Sequence, residues 1–229
     1  PARPVKNPTR PVSASGRAAC FGLAVLLLLT TASALAQFDA KERSSLPAQQ
    51  WAPDKLVAEL RKGGYVLYFR HTSTDFSQND ERMKDYDDCA NQRNLTDKGR
   101  AEARAIGAAV RALGLAFERV LASPFCRTVE TAQLVFGRAE KMQEVRGGPA
   151  TPANPGRYAS LRKILATPAG PGANLAVVSH GNPFVSVAGP PYLAEGEAAV
   201  IRAIADDFQI MARIRVEEWD GLKEALQRR

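Results

Sequence analysis

The alternation of apolar and polar positions cuts the chain into short elements. From Pro53 onward, Leu56, Val57 and Leu60 recur at helical spacing until Gly63-Gly64 stops the run. Tyr65-Val66-Leu67-Tyr68-Phe69 is continuously apolar, the pattern of a strand buried on both faces. Residues 72–95 are rich in Asp, Asn and Ser and read as a long loop, a length that often carries function. Thr96 can cap the next helix, whose buried face is marked by Ala105, Ile106, Ala109, Val110 and Leu113 and whose end is Gly114. Arg119-Val120-Leu121-Ala122 reads as a second strand, and Ser123-Pro124 turns the chain into a helix that runs to about Phe136. Residues 145–157 read as loop and Tyr158–Leu165 as a short helix. Asn174–Ser179 is a third apolar strand, Ala198–Ala203 and Phe208–Val216 form a hairpin joined at Asp206-Asp207, and a polar helix closes the chain.

Three apolar strands alternating with helices predict an α/β layered fold with a mainly parallel sheet. Ligands of such folds sit at the carboxyl ends of the strands. Each of the three strands is followed by reactive residues: Arg70-His71 after the first, Ser123 and Arg127 after the second, His180-Gly181-Asn182 after the third. If the strands are neighbours, the chain's two histidines and two of its arginines meet in one crevice.

The first 36 residues break from this pattern. They hold Arg3, Lys6, Arg10 and Arg17 but no acidic residue, then an apolar run centred on Leu26–Leu29 and ending in Ala34-Leu35-Ala36. A basic start, a short apolar middle and an A-x-A end predict a secretory signal peptide cleaved after Ala36, and hence a periplasmic or secreted protein with no stable membrane insertion. Residues 37–52 are polar and are expected to form a flexible lead-in, leaving 53–229 as a single domain. Losing four basic residues from 31 Lys and Arg leaves 27 against 24 Asp and Glu, an ordinary balance that gives no support to a nucleic-acid partner. Of the three cysteines, Cys20 leaves with the leader; Cys89 and Cys126 remain, and an even pair in an exported protein predicts a disulfide.

Guanidinium forks match phosphate oxygens, and Arg127 falls in the first turn of a predicted helix, where free N–H groups favour an anion. A neutral imidazole can attack phosphorus, and a second, if cationic, can steady the charge on its oxygens. Two histidines and a bridged cysteine pair make a poor zinc ligand set, so neither metal nor cofactor is expected.

These residues resemble a known family. Tyr68-Phe69-Arg70-His71-Thr72 resembles the Arg-His motif of the histidine phosphatase (phosphoglycerate mutase-like) superfamily. Ser123–Arg127–Thr131-Ala132 is similar to its Ser-x-x-x-Arg-x-x-x-Thr-Ala element, Val177–Gly181 to its second-histidine strand, and Asn94–Arg100 to the segment opening the intervening helix. The resemblance implies a three-layer α/β/α sandwich and a metal-independent phosphatase acting on a small phosphorylated substrate. His71 would take the phosphoryl group as phosphohistidine, with Arg70, Arg127 and His180 around it. Thr72 stands where the family usually has glycine, and its hydroxyl could donate to phosphate. For the general acid, Glu144 is the positional match, with Glu195, Glu197, Asp75 and Asp80 as alternatives. A protein-phosphohistidine phosphatase and a non-catalytic phosphate-binding protein are the rival readings.

Overall fold

The structure, a computed structural model, describes residues 50–147, 154 and 156–227. The leader expected at 1–36 lies outside them, as does most of the 37–52 lead-in. The described end of that lead-in is docked. Trp51 is buried edge-on against Tyr65 with ring centroids 5.9 Å apart, and Gln50 exchanges hydrogen bonds with the backbone of Arg213.

Six strands form one sheet: β1 (Val66–Arg70), β2 (Phe117–Ala122), β3 (Glu140–Lys141), β4 (Asn174–Ser179), β5 (Ala198–Ile204) and β6 (Asp207–Ile214), in the order β3-β2-β4-β1-β5-β6. The strands β3, β2, β4 and β1 run parallel; β5 and β6 are antiparallel additions at one side. The helices are α1 (Pro53–Lys62), α2 (Asp97–Ala112), α3 (Cys126–Phe136), α4 (Ala159–Leu165), α5 (Gly181–Ala188) and α6 (Glu218–Gln227).

The period of two along each strand sorts the core into two layers. Leu67 and Phe69 of β1, Val120 and Ala122 of β2, and Ala176 and Val178 of β4 pack with buried residues of α1, α2, α3 and α6. Val66, Tyr68, Leu121, Leu175 and Val177 point the other way, onto Leu161 and Leu165 of α4 and Phe184 of α5. Strands apolar on both faces need cover on both, and the product is the expected three-layer α/β/α sandwich.

Local signals explain most boundaries. Pro53 opens α1, and Thr96 caps α2 by accepting from the Gly99 N–H at 3.0 Å. Gly137, with φ of 74°, closes α3. Some details depart from the pattern. Ala105 is exposed, and Ala103 takes its place on the buried face of α2. The hairpin turns one residue earlier than expected, at Ala205-Asp206. The two-residue strand β3 is too short to leave a periodic signal. Helix α5 grows from Gly181-Asn182-Pro183, which alone reads as a turn; burial of Pro183 and Phe184 carries it on as a helix.

The glycine of the α2 opening has a structural reason. A Cβ on Gly99 would lie 2.0 Å from the carbonyl oxygen of Ser73, two residues beyond His71. Gly99→Ala is therefore expected to destabilise the fold by about 1–3 kcal/mol through overpacking, measured as a lower urea midpoint at unchanged m-value. An unchanged midpoint would show that the α2 start and the post-histidine segment are not in tight contact.

Candidate active site

Parallel pairing of β1 with β4 sets Arg70 opposite Ser179, so the next residue of each strand, His71 and His180, emerges side by side. Their ring centroids are 5.5 Å apart. Strand β2 lies on the far side of β4 in register Ala122 to Val178, which brings Ser123 beside His180: Ser123 Oγ is 2.8 Å from His180 Nε2. Arg127 enters from the first turn of α3. Thus Arg70, His71, Arg127 and His180 line one cavity of about 360 Å³ at the carboxyl ends of the parallel strands.

His71 is buried, and its Nδ1 lies 2.9 Å from the carbonyl oxygen of Thr72. A carbonyl only accepts, so Nδ1 carries the proton and Nε2 keeps its lone pair. Burial, and to a smaller extent the charges of Arg127, Arg70 and Arg93, push the His71 pKa down to about 3, against a partial upward pull from the Thr72 carbonyl. His180 is likewise lowered, first by burial and then by His71 and Arg127. In the free protein it is therefore neutral, not the cation that would steady phosphate oxygens unaided. A bound dianion opposes those repulsions and favours its protonation.

The three residues after His71 are each tied to a different element. Thr72 N–H donates to Thr131 Oγ1 of α3 at 3.3 Å, Ser73 N–H and Oγ–H donate to Glu102 of α2, and Thr74 Oγ1–H donates to Glu195 at 2.6 Å. The Thr72 hydroxyl is buried against Thr131 Oγ1 and does not line the cavity, so the expectation that it donates to phosphate is not met. Its contribution is the carbonyl that orients His71. Tyr68 O–H donates to the His180 carbonyl at 2.7 Å and holds the second histidine from the opposite face of the sheet.

The candidate acids are dispersed. Glu144 is exposed in the short 3-10 turn Gln143–Val145 and does not line the cavity: its neighbour Val145 is the buried residue of that turn. Asp75 closes a turn with Ser77 on the surface, and Glu197 is buried in a pair with Arg213. Glu195 stands behind the histidine, 3.9 Å from His71 Nδ1 and 3.4 Å from Arg70. Asp80 alone of the five lines the cavity; its two oxygens accept from Arg127 at 2.9 and 3.0 Å.

Sequence patterns alone did not single out Arg93, Arg146 and Arg157, which also line the cavity. Arg93 directly precedes the Asn94–Arg100 segment, and Arg146 follows Glu144 in the chain, so both sit beside stretches the motif comparison had marked. Arg157 follows a Gly/Pro-rich stretch with no local signal.

The Cys89–Cys126 bridge is present, with Cα atoms 5.7 Å apart. It joins the 72–95 loop to the residue preceding Arg127. Gln92 adds a second tie, accepting from the Cys126 N–H at 2.9 Å. Among the described residues no group of three or more His, Cys, Asp or Glu could hold a metal, and no helix is long and apolar enough to cross a membrane.

Residues 66–148 match the model of the histidine phosphatase superfamily (branch 1). The matched stretch holds Arg70, His71 and Arg127, and His180 lies beyond it. Among solved structures, the chain is similar to the protein histidine phosphatase SixA complexed with tungstate, at 20% identity over 67% of this chain and 98% of that one, TM-score 0.46. It is also similar to a phosphoserine phosphatase mutant from Entamoeba histolytica in complex with phosphoserine, at 14% identity over 65% and 95%, TM-score 0.46. A third similar structure is the alpha-ribazole phosphatase from Shigella flexneri, at 13% identity over 64% and 94%, TM-score 0.43. A comparison with curated proteins found no match.

Two predictions follow from the buried imidazoles and the bridge. His71 has a folded pKa of about 3 against 6.5 for a free histidine, so the unfolded chain binds more protons between those values. The neutral His71 ring's contribution to stability is complete above pH 6.5 and falls away as pH drops towards 3; lowered His180 acts in the same direction. Thermal unfolding from pH 7 to pH 4 should show a steeper loss of Tm in the wild type than in His71→Gln/His180→Gln; parallel profiles would contradict it. Replacing Cys89 and Cys126 by Ala is expected to cost about 2–4 kcal/mol and to speed amide exchange within residues 76–95. Unchanged exchange there would mean the bridge does not hold the loop.

Proposed function

We propose that this chain is an exported, metal-independent phosphatase that hydrolyses phosphomonoesters through a phosphohistidine on His71. The observation that carries the reading is the His71 ring itself. It is buried, neutral, and held by Nδ1–H on the Thr72 carbonyl, with its other nitrogen left as a nucleophile in an arginine-lined cavity.

In the first step Nε2 forms a bond to phosphorus as the ester P–O bond breaks. Arg70, Arg127 and His180 hold the phosphoryl oxygens, and the leaving oxygen takes a proton. In the second step water attacks phosphorus and gives a proton to the Asp80 carboxylate left by the first step, the P–N bond breaks to restore the neutral His71 ring, and phosphate departs. Asp80, the carboxylate in the cavity, replaces Glu144 as the proposed proton donor. The incoming phosphoryl group competes with Asp80 for the Arg127 fork; the freed carboxylate takes the proton of a monoanionic phosphoryl group and passes it to the leaving oxygen. Export is supported by the leader pattern and by a disulfide that an oxidising compartment preserves.

A second reading, a protein-phosphohistidine phosphatase, is favoured by one observation. The proton donor starts engaged by Arg127, and phosphoimidazole leaves with little help from an acid.

Wild type is expected to turn over p-nitrophenyl phosphate in EDTA, and His71→Ala to lose at least a thousandfold in kcat. Quenched wild type should carry acid-labile, base-stable phosphate on His71. Asp80→Asn should slow an alkyl phosphate more than p-nitrophenyl phosphate, whose leaving group needs no proton. Turnover that survives His71→Ala, or that EDTA abolishes, would sink the mechanism.

A further inference from the structure

The cavity holds more positive charge than one phosphoryl group uses. Five arginines line it, Arg70, Arg93, Arg127, Arg146 and Arg157, against the single carboxylate of Asp80. Two of them have counter-ions: Arg70 pairs with Glu195 and Arg127 with Asp80. Among the described residues, no carboxylate lies within ion-pair distance of Arg93, Arg146 or Arg157. Aromatic faces lie against them instead: Phe76 4.9 Å from Arg93, Phe125 5.3 Å from Arg146, and Tyr158 4.7 Å from Arg157. Such contacts orient a guanidinium without neutralising it.

The three are built into place. Ser179 Oγ–H donates to the Val145 carbonyl at 2.7 Å, so the strand that leads into His180 also fixes the residue before Arg146. Gly147, at φ of 78°, leaves room for the Tyr158 ring; a Cβ there would lie 2.6 Å from that ring and 3.0 Å from the Arg157 carbonyl. That close approach seats Arg157 beside Arg146. Arg93 is held through its backbone N–H on Asp80 and its carbonyl on Arg127. The Nε atoms of Arg93 and Arg157 are buried with no hydrogen-bond partner, an arrangement that an anion's oxygens would repay.

Gathering like charges costs free energy unless an anion joins them. A group carrying two negative charges fits three guanidiniums better than a monovalent carboxylate does. We propose that the cavity selects phosphate esters bearing a second phosphoryl group, which Arg93, Arg146 and Arg157 bind while His71 attacks the first. This rests on the reading of His71 as the phosphoryl acceptor.

The test compares kcat/KM for fructose 1,6-bisphosphate and fructose 6-phosphate in wild type, Arg146→Gln and Arg157→Gln. In parallel, calorimetry compares binding of methylenediphosphonate and inorganic phosphate to the same proteins and to His71→Ala. Wild type should prefer the bisphosphate and the diphosphonate at least tenfold, and each arginine variant should shrink both ratios several-fold. His71→Ala should keep the diphosphonate preference. No preference in wild type, or ratios untouched in both arginine variants, overturns the subsite. A stronger preference for a carboxylate-bearing ester such as phosphoserine overturns it as well. A diphosphonate preference in a protein that turns over no ester supports the subsite and rejects the hydrolytic reading. Turnover without preference does the reverse.

Discussion

The two imidazoles of the cavity are held close together and are neutral in the free protein, and both conditions come from a single strand pairing. The parallel register of β1 and β4, Arg70 to Ser179, delivers His71 and His180 to the same edge of the sheet. The same central position takes both rings out of water and lowers their affinity for protons. Burial does most of the lowering at His71, and the arginines add to it. The positive charge of the cavity therefore also helps to keep His71 deprotonated.

The rest of the site is a set of ties onto that pair. Residues 72 to 74 leave β1 and are each anchored elsewhere, to Thr131, Glu102 and Glu195, so the carbonyl that orients His71 cannot drift. Tyr68 reaches through from the other face of the sheet to the His180 carbonyl. The long 72–95 loop is stapled at Cys89 to the residue preceding Arg127, and it brings Asp80 and Arg93 to the cavity with opposite charges. Asp80 occupies the Arg127 fork in the free protein. In the proposed reaction, exchange of one anion for another at that fork links substrate arrival to release of this carboxylate.

The excess of arginine over carboxylate is where this site differs from a minimal phosphate pocket. Arg70 and Arg127, the arginines of the proposed phosphoryl site, already have their charges balanced by Glu195 and Asp80. Arg93, Arg146 and Arg157 come from two further loops and are held by backbone contacts and aromatic rings. Specificity resides in loops while the histidines belong to the sheet.

The chain's pattern was enough to determine β1, β2 and β4, the β5–β6 hairpin, and the placement of a reactive residue after each of the first three, because apolar runs and capping residues act locally. It also marked the cysteine pair, Arg70, Arg127 and both histidines. It left the acid open, since five carboxylates stand in loops whose paths depend on distant partners. Only the tertiary structure separated Asp80, in the cavity, from Glu144 at the surface, and turned Thr72 from a phosphate donor into the carbonyl that fixes a tautomer. It alone gathered Arg93, Arg146 and Arg157, more than sixty positions apart at the extremes, because electrostatic proximity is a property of folded distance and leaves no period in the sequence.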